Sequence, residues 1–365
     1  MENNKSTKEF VIGIFSLIFV LSLLLLFING CEQNDSIVGS NENSALNESF
    51  KKIVEDDEVV QSFEPNFTES EAMDFLGKTN TVIYPAHVWQ KIETINFDLA
   101  MTVEGDTAYG VSTKTYTGTL FIAAAYNDST DEDSTDGDDD SDDEHDSKVD
   151  TVIQKPFTAV ITRNIIFEKV DTTGDTRKDW KILAISLPEG GTGSPNIFIN
   201  KLTVILANGD SIEVTSPNEY YVSRDMNKKW GYRGNHGPGG YWKHGSHNGL
   251  KLGFGFGFLS QFFSCRFNER VHLRVEVESA YADEEYTAVT FGADRFGKYR
   301  TKTKFELVSS EFNGTTYNKV YEGEFKPKGW KGFYHAIIHA VPYHVVNDDG
   351  TPVEAVSWGI PYKVE

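Results

Sequence analysis

From Val271 onward the chain consists of short segments in which apolar and polar residues alternate, several of them separated by turn sequences such as Asn313-Gly314. Alternation with a period of two is typical of a β-strand with one face in a core, and regular short strands with turns between them favour two packed sheets. We therefore predict an all-β sandwich over residues 196–365. The predicted strands are Val271–Glu278, Thr287–Phe291, Lys302–Leu307, Lys319–Phe325, Gly332–Ala340 and Ala355–Lys363, after a hairpin of Lys201–Leu206 and Ser211–Thr215.

This succession of strands resembles the immunoglobulin-like sandwich. The cysteine, tryptophan and second cysteine that pin the core of antibody domains are absent from the stretch. The resemblance therefore implies the architecture alone, and it carries no site residues with it.

The preceding part of the chain opens with helical spacing. Apolar residues recur at threes and fours until Pro65 ends the pattern, and Thr68-Glu69-Ser70-Glu71 has the spacing of a capping box ahead of a second apolar run that stops at Gly77. Strand patterns follow. We predict two short helices and then a sheet built from Phe97–Val103, Thr107–Ala125, Phe157–Lys169 and Trp180–Leu187.

The segments VEGDTAYG, TRNIIFEKVD and DWKILAISL in this part resemble the NTF2-like α+β cone fold. The resemblance implies an α+β domain over residues 45–195, with the two helices on a curved antiparallel sheet. Enzymes of that family place an acid or a histidine inside the cone. Here Asp98, His87 and Arg163 are the candidates for such a position.

The first thirty residues have the pattern of an export signal. Lys5 and Lys8 precede an uncharged run, Phe10–Ile28, which Asn29, Gly30 and Cys31 follow. This ending resembles the lipobox of bacterial lipoproteins, in which the signal peptide (residues 1–30) is removed and the cysteine is acylated. The alternative is an uncleaved membrane helix, since nineteen helical residues span roughly 28 Å.

The resemblance makes Cys31 the lipid attachment point. The polar residues after it are poor in apolar side chains, which predicts a flexible tether over residues 31–44. Glu32 is not the aspartate that retains some lipoproteins at the inner membrane. The expected location is therefore the bacterial cell envelope, anchored by lipid, at the outer membrane.

The chain is acidic, with 34 Lys and Arg against 55 Asp and Glu and a net charge of −21. This balance argues against a nucleic-acid partner, whose phosphates need a basic surface. Asp128–Asp150 alone holds thirteen acidic residues and one lysine. Such a run repels itself, so we predict a disordered acidic insert over residues 128–150. Solvation is its simplest role, and loose capture of calcium or of a cationic surface is the alternative.

A second unusual segment, residues 228–258, holds ten glycines, five basic residues and no acids. Its aromatic residues Trp230, Tyr232, Tyr241 and Trp242 predict a loop that binds a ligand or a protein partner. The alternative is a low-complexity insert that docks on the acidic one. Its three histidines, His236, His244 and His247, would suit a soft metal only if the loop held them together.

The remaining candidates for chemistry are few. Asp171, Asp175 and Asp179 recur every four residues, which suits calcium in a tight loop, although a simple hairpin turn between Val170 and Trp180 is the favoured explanation. His335 and His339 have zinc spacing on a helix, but their surroundings indicate a strand and structural histidines. Two other groups offer no nucleophile: Ser260 and Ser264 lack the glycines of a nucleophile elbow, and Cys265 is predicted to be a buried thiol.

Together these patterns favour a lipid-anchored envelope protein that binds a partner, either an envelope protein or a glycan, and is not an enzyme. One alternative is a hydrolase or isomerase with its site in an NTF2-like cavity. The other is a surface protein stabilised by calcium, the only cofactor that the sequence suggests.

Overall fold

The computed structural model describes residues 40–68, 83–126, 149–224, 263–293, 300–327 and 331–365. This part of the chain is 61% strand and 12% helical. Residues 47–365 belong to one compact unit, while the unit Met1–Leu46 is described only over residues 40–46. Within the described ranges, no helix combines the length and the apolar character needed to cross a membrane.

Apart from α1, which has 17 residues, the helices are short, whereas the first three strands are long. Helix α1 is Ser40–Asp56 and α2 is Glu58–Gln61, and α3 (Thr176–Asp179) and α4 (Tyr343–Asn347) come later. The strands are β1 Tyr84–Glu104, β2 Thr107–Ala125, β3 Thr151–Lys169, β4 Trp180–Ser186, β5 Glu189–Gly191, β6 Ile197–Ile205, β7 Ser211–Val214, β8 Tyr221–Ser223, β9 Phe263–Cys265, β10 Val271–Ser279, β11 Glu285–Ala293, β12 Thr301–Lys304, β13 Glu306–Phe312, β14 Tyr317–Phe325, β15 Gly332–Pro342 and β16 Val356–Val364.

These strands form two sheets. The first has the order β1-β2-β3-β5-β16-β15-β11-β12, with β4 paired to β3, β8 to β4 and β9 to β16. The second has the order β13-β14-β10-β6-β7. All pairs are antiparallel except β9 with β16. Two antiparallel sheets are consistent with the predicted β-sandwich.

The predicted α+β fold of residues 45–195 is wrong. Its strands do not form a sheet of their own, because β5 pairs with β3 on one side and with β16 on the other. Gly190 and Gly191 make both pairings, so the long N-terminal strands and the C-terminal strands belong to one sheet. The predicted first helix corresponds to α1 and α2, and the predicted second helix lies outside the described residues apart from Thr68. The prediction of an NTF2-like cone is therefore wrong as well.

The predicted strand Lys302–Leu307 is in fact two strands in different sheets. It breaks at Phe305, which is 1% exposed. The chain enters that residue from β12 in the first sheet and leaves it into β13 in the second. A buried aromatic side chain at the crossing therefore helps to join the sheets.

The contact between the sheets is both aromatic and ionic. The ring of Phe325 in β14 lies 5.1 Å from that of Phe291 in β11. Near it, Lys319 Nζ in β14 lies 2.8 Å from the Glu285 carboxylate in β11, and both side chains are 0% exposed. Tyr321 also donates a hydrogen bond of 2.6 Å to that carboxylate. The buried pair therefore links one sheet to the other.

The first sheet also packs against itself. One core cluster holds side chains from β1, β2 and β3 together with others from β11, β15 and α4. Among its members are Val88, Leu120, Phe157, Tyr286, Val341 and Val345. The half of the sheet that contains β1, β2 and β3 and the half that contains β11 and β15 therefore face each other across a shared apolar interior.

Candidate functional site

Residues 57–68, called here the inner segment, lie between the two halves of the first sheet. Asp57 starts the segment as the N-cap of α2, where its Oδ1 accepts hydrogen bonds from the amides of Val59 and Val60, both 3.0 Å long. Its Oδ2 accepts from Arg224 at 2.6 Å. This cap fixes the direction in which the segment enters the interior.

The inner segment packs along strand β15. His335, Ile337 and His339 alternate along the strand and share one face. The ring of Phe63 packs against Ile337 and lies edge-on to His335, and the ring of Phe67 lies edge-on to His339. His335 and His339 are four residues apart on a strand and therefore lie about 13 Å from each other, which is too far for them to share a zinc ion.

Gly359 in β16 makes room for this packing. A Cβ at that position would lie 2.6 Å from an atom of the Phe63 ring and 2.6 Å from Pro188. Only glycine therefore lets the strand approach the inner segment so closely.

The end of the inner segment bridges the two outer strands of the first sheet. Thr68 accepts a hydrogen bond from the Gln90 amide in β1 through its Oγ1, and one from Lys302 in β12 through its carbonyl. Gln90 also accepts from the Phe67 amide and donates to the Pro65 carbonyl, both at 2.8 Å. The segment thus joins strands that do not pair with each other.

At the centre is a buried chain of polar groups. Arg163 Nη2 in β3 lies 2.7 Å from His335 Nε2, and His335 Nδ1 lies 2.5 Å from Ser62 Oγ. A guanidinium can only donate, so Nε2 accepts and Nδ1 carries the proton that is donated to Ser62. Ser62 in turn donates to the Val59 carbonyl at 2.9 Å. The hydrogen bonds therefore run in one direction, from Arg163 to the inner segment.

The electrostatics agree with a neutral histidine. Burial, with smaller contributions from the charges of Arg163 and Lys114, lowers the pKa of His335 well below its usual value. Burial, followed by the charge of Arg163, lowers the pKa of Lys114 to about 8. Lys114 donates to Gln61 Oε1 at 2.9 Å. His335 has both nitrogens engaged and Ser62 gives its proton to a carbonyl, so the pair is not arranged as a base and a nucleophile.

The interior beside this chain is filled by side chains. Phe63, Tyr116, Ile161 and Ile337 form one buried cluster, and the Tyr116 hydroxyl donates to the Phe63 carbonyl at 3.0 Å. Phe67 and Phe157 pack edge to face nearby, with ring centres 5.4 Å apart. Large side chains thus fill the interior beside Arg163, His335 and Ser62.

On the opposite side of the first sheet, the outer face of β2 and β3 carries no charged side chain between Tyr109 and Ala123. Charged residues border it: Glu168 at the end of β3, and Lys91, Glu93 and Asp98 on β1, where Glu93 accepts a hydrogen bond of 3.2 Å from Thr119. The outer face consists of alternate residues of the two strands: Tyr109, Val111, Thr113, Thr115, Thr117, Thr119, Phe121 and Ala123 of β2, and Val152, Gln154, Pro156, Thr158, Val160 and Thr162 of β3. These side chains are exposed or half-buried. In a chain of net charge −21, a broad uncharged surface rich in hydroxyl groups is a distinct feature.

Three aromatic rings continue this outer face onto β1. Trp89 is paired across the strands with Phe121, and their rings lie stacked with centres 5.2 Å apart. His87 also stacks on Trp89, with ring centres 5.3 Å apart. His87 is exposed, and the other two residues are half-buried. Of these three rings only His87 was a predicted candidate, although the spacing of two residues between His87 and Trp89 indicates a shared face.

The three aspartates proposed for calcium have local partners. Asp179 accepts from the amides of Thr173 and Gly174 at 2.7 and 2.9 Å, and the hydrogen bonds from Thr173 lower the pKa of its carboxyl. Asp175 is the N-cap of α3 and accepts from the Arg177 amide, while Asp171 accepts from the Thr172 amide. Over the ranges that the structure covers, no three His, Cys, Asp or Glu side chains are grouped to hold a metal ion. The calcium site stays a prediction.

Other predicted residues fall into two groups. Asp98 is exposed on β1, and Cys265 is buried, with the pKa of its thiol raised to about 12 chiefly by that burial. The remaining candidates lie outside the described residues: Cys31, the acidic insert apart from its last two residues, Trp230, Tyr232, Tyr241, Trp242, the three histidines near them and Ser260. Their predicted roles stay predictions.

Comparison with known proteins adds no further constraint. The chain matches no known family model and no curated protein.

Proposed function

We propose that this chain is a lipid-anchored protein of a bacterial cell envelope that binds a neutral glycan through its outer face. Export and acylation at Cys31 are supported by the charged start, the apolar run and the Gly30-Cys31 ending. Several acyl chains on one cysteine would give a durable anchor, because each buried CH₂ contributes about 0.8 kcal/mol.

The observation that carries the choice of partner is the uncharged outer face with its stacked rings. A neutral polysaccharide offers hydroxyl groups and apolar ring faces but no charge. Threonine hydroxyls can donate and accept, and tryptophan and histidine rings can pack on sugar rings. Because the part of the face between Tyr109 and Ala123 on β2 and the facing residues of β3 holds no charged side chain, a neutral polymer bound there leaves the bordering ionic groups in water.

Binding, and not catalysis, also fits the interior of the first sheet. The buried histidine is neutral and engaged at both nitrogens, and the space beside it is packed with aromatic side chains. The exposed surfaces are therefore the better place for a function.

Two valine substitutions offer a matched test of the outer face. Val160 in the middle of this face is 40% exposed, and Val308 on β13 of the second sheet is 54% exposed. We expect Val160→Glu to abolish retention of the protein on insoluble neutral polysaccharides, and Val308→Glu to leave it unchanged. Both variants should unfold at the wild-type temperature, since both side chains face solvent.

The rings are tested in the same assay with Trp89→Ala and, as an aromatic control elsewhere, Phe312→Ala, whose side chain is 59% exposed on β13. Loss of about 1 kcal/mol or more of binding free energy is expected for the first and none for the second. If no neutral glycan retains the wild-type protein, or if Val160→Glu and Trp89→Ala bind like wild type, the proposed site is wrong. The anchor is tested separately, by the mass of the processed N-terminus and by release of a Cys31→Ser variant from membranes.

A further inference from the structure

Arg163 is a buried cation whose hydrogen-bonding capacity is only partly used. It sits in β3, where its backbone carbonyl accepts from Ser112, and its side chain turns into the interior and is 3% exposed. Nη2 donates to the neutral ring of His335. Its Nε and Nη1 atoms are buried and have no acceptor among the described residues.

The charges around Arg163 do not balance it. Lys114 and Arg224 are cationic and lie close enough to interact with it, and Asp57 is the carboxylate that attracts it most. Asp57, however, uses Oδ1 for two backbone amides and Oδ2 for Arg224. Glu64, the next carboxylate of the inner segment, pairs with Arg300 at 2.8 Å. Within the described part of the chain, each nearby carboxylate therefore has another partner.

A buried charge without a counter-ion is strongly unfavourable, and a guanidinium does not lose its proton in proteins. We propose that Arg163 binds a small monovalent anion from solution, which accepts a hydrogen bond on its Nε or its Nη1 side. Chloride and a short carboxylate such as formate share this chemistry. The site suits a small anion because the Phe63 and Tyr116 side chains pack around the same chain of groups.

The anion would act on the inner segment as well as on Arg163. The guanidinium that it neutralises holds His335, and His335 holds Ser62. A bound anion would therefore stabilise the arrangement that joins the two halves of the first sheet. This effect is independent of the glycan-binding proposal.

Thermal unfolding in different salts tests the site in the intact chain. At equal ionic strength we expect a melting temperature about 3 °C higher in sodium chloride or sodium bromide than in sodium gluconate, if the small anion is in tenfold excess over its Kd. Sodium formate and sodium acetate form a second arm, which shows whether a short carboxylate replaces the halide. The difference should vanish in Arg163→Met and persist in Arg274→Met, which loses a guanidinium from the surface.

A crystal grown with bromide gives a direct measurement that does not depend on any variant. An anomalous peak within hydrogen-bond distance of Arg163 Nε or Nη1 is expected. Equal melting temperatures in all the salts would overturn the proposal, and so would a salt difference that persists in Arg163→Met. Anomalous bromide peaks found only at the protein surface would overturn it as well. If Arg163→Met does not fold, the salt series and the bromide peak of the wild-type protein still decide.

Discussion

Lys114 gives the protein an unusual dependence of stability on pH. Its pKa is lowered from 10.5 to about 8 by burial and by the charge of Arg163. Between these two values the unfolded chain binds a proton that the folded chain does not bind. The free energy of unfolding therefore increases with pH through this range, because raising the pH removes the proton that favours the unfolded state.

The size of the effect follows from the two pKa values. A difference of this magnitude corresponds to about 3 kcal/mol in total, of which about 2 kcal/mol is gained between pH 7.5 and pH 9.5. Above about pH 10 the trend reverses, since burial raises the pKa of several tyrosines and keeps them from ionising in the folded state. These are Tyr116, Tyr321 and Tyr362.

Urea unfolding followed by tryptophan fluorescence at four pH values from 7.5 to 9.5 measures this gain. In Lys114→Met the gain in the free energy of unfolding between pH 7.5 and pH 9.5 should be about 2 kcal/mol smaller than in the wild type. Lys155, whose pKa burial also lowers to about 8, should behave in the same way in Lys155→Met. Lys178→Met, which removes an exposed lysine, is the control. A Lys114→Met profile parallel to that of the wild type would refute the reasoning.

Further variants test the buried ion pair, the packing against the inner segment and one acidic side chain. Glu285→Gln leaves the Lys319 ammonium buried without its carboxylate, so urea unfolding should show a loss of about 3–5 kcal/mol, most of it recovered in Glu285→Leu with Lys319→Met. A loss below 1 kcal/mol would mean that water reaches the pair. Gly359→Ala pushes a methyl group into the Phe63 ring and should cost about 1–3 kcal/mol; a wild-type midpoint would place the inner segment elsewhere. The pKa of Asp179 is lowered in the folded state, so the stability that its carboxylate contributes is lost as the pH falls below about 4. In Asp179→Asn the melting temperature should therefore fall less steeply with pH in this range than it does in the wild type. An unchanged dependence on pH would contradict this prediction.

The strands were largely readable from the sequence, but their partners were not. Alternation over Thr107–Ala125 predicts β2 to the residue, because a strand with one buried face repeats every two positions. The same pattern says nothing about which strand lies alongside. The strand that joins the two halves, β5, is the sequence Glu-Gly-Gly, which carries no alternation at all. The wrong prediction of an α+β fold for the N-terminal strands came from this gap.

The buried polar chain shows the same limit. Arg163 and His335 each stood out in the sequence, but for unrelated reasons and 172 residues apart. Ser62 had no local signal, since its role depends only on where the inner segment meets β15. Long-range contacts of this kind follow from topology, which no local pattern contains.

The route of residues 57–68 through the interior also bears on how the chain acquires its fold. Ser62 and His335 are 273 positions apart, so the early residues must wait until the strands near the carboxyl end have been made before they can settle. Closing so large a loop is entropically slow, and it delays the native state long after the first hairpin can form. A nascent polypeptide of this design would remain partly unstructured during its synthesis, because its early and late residues come together last.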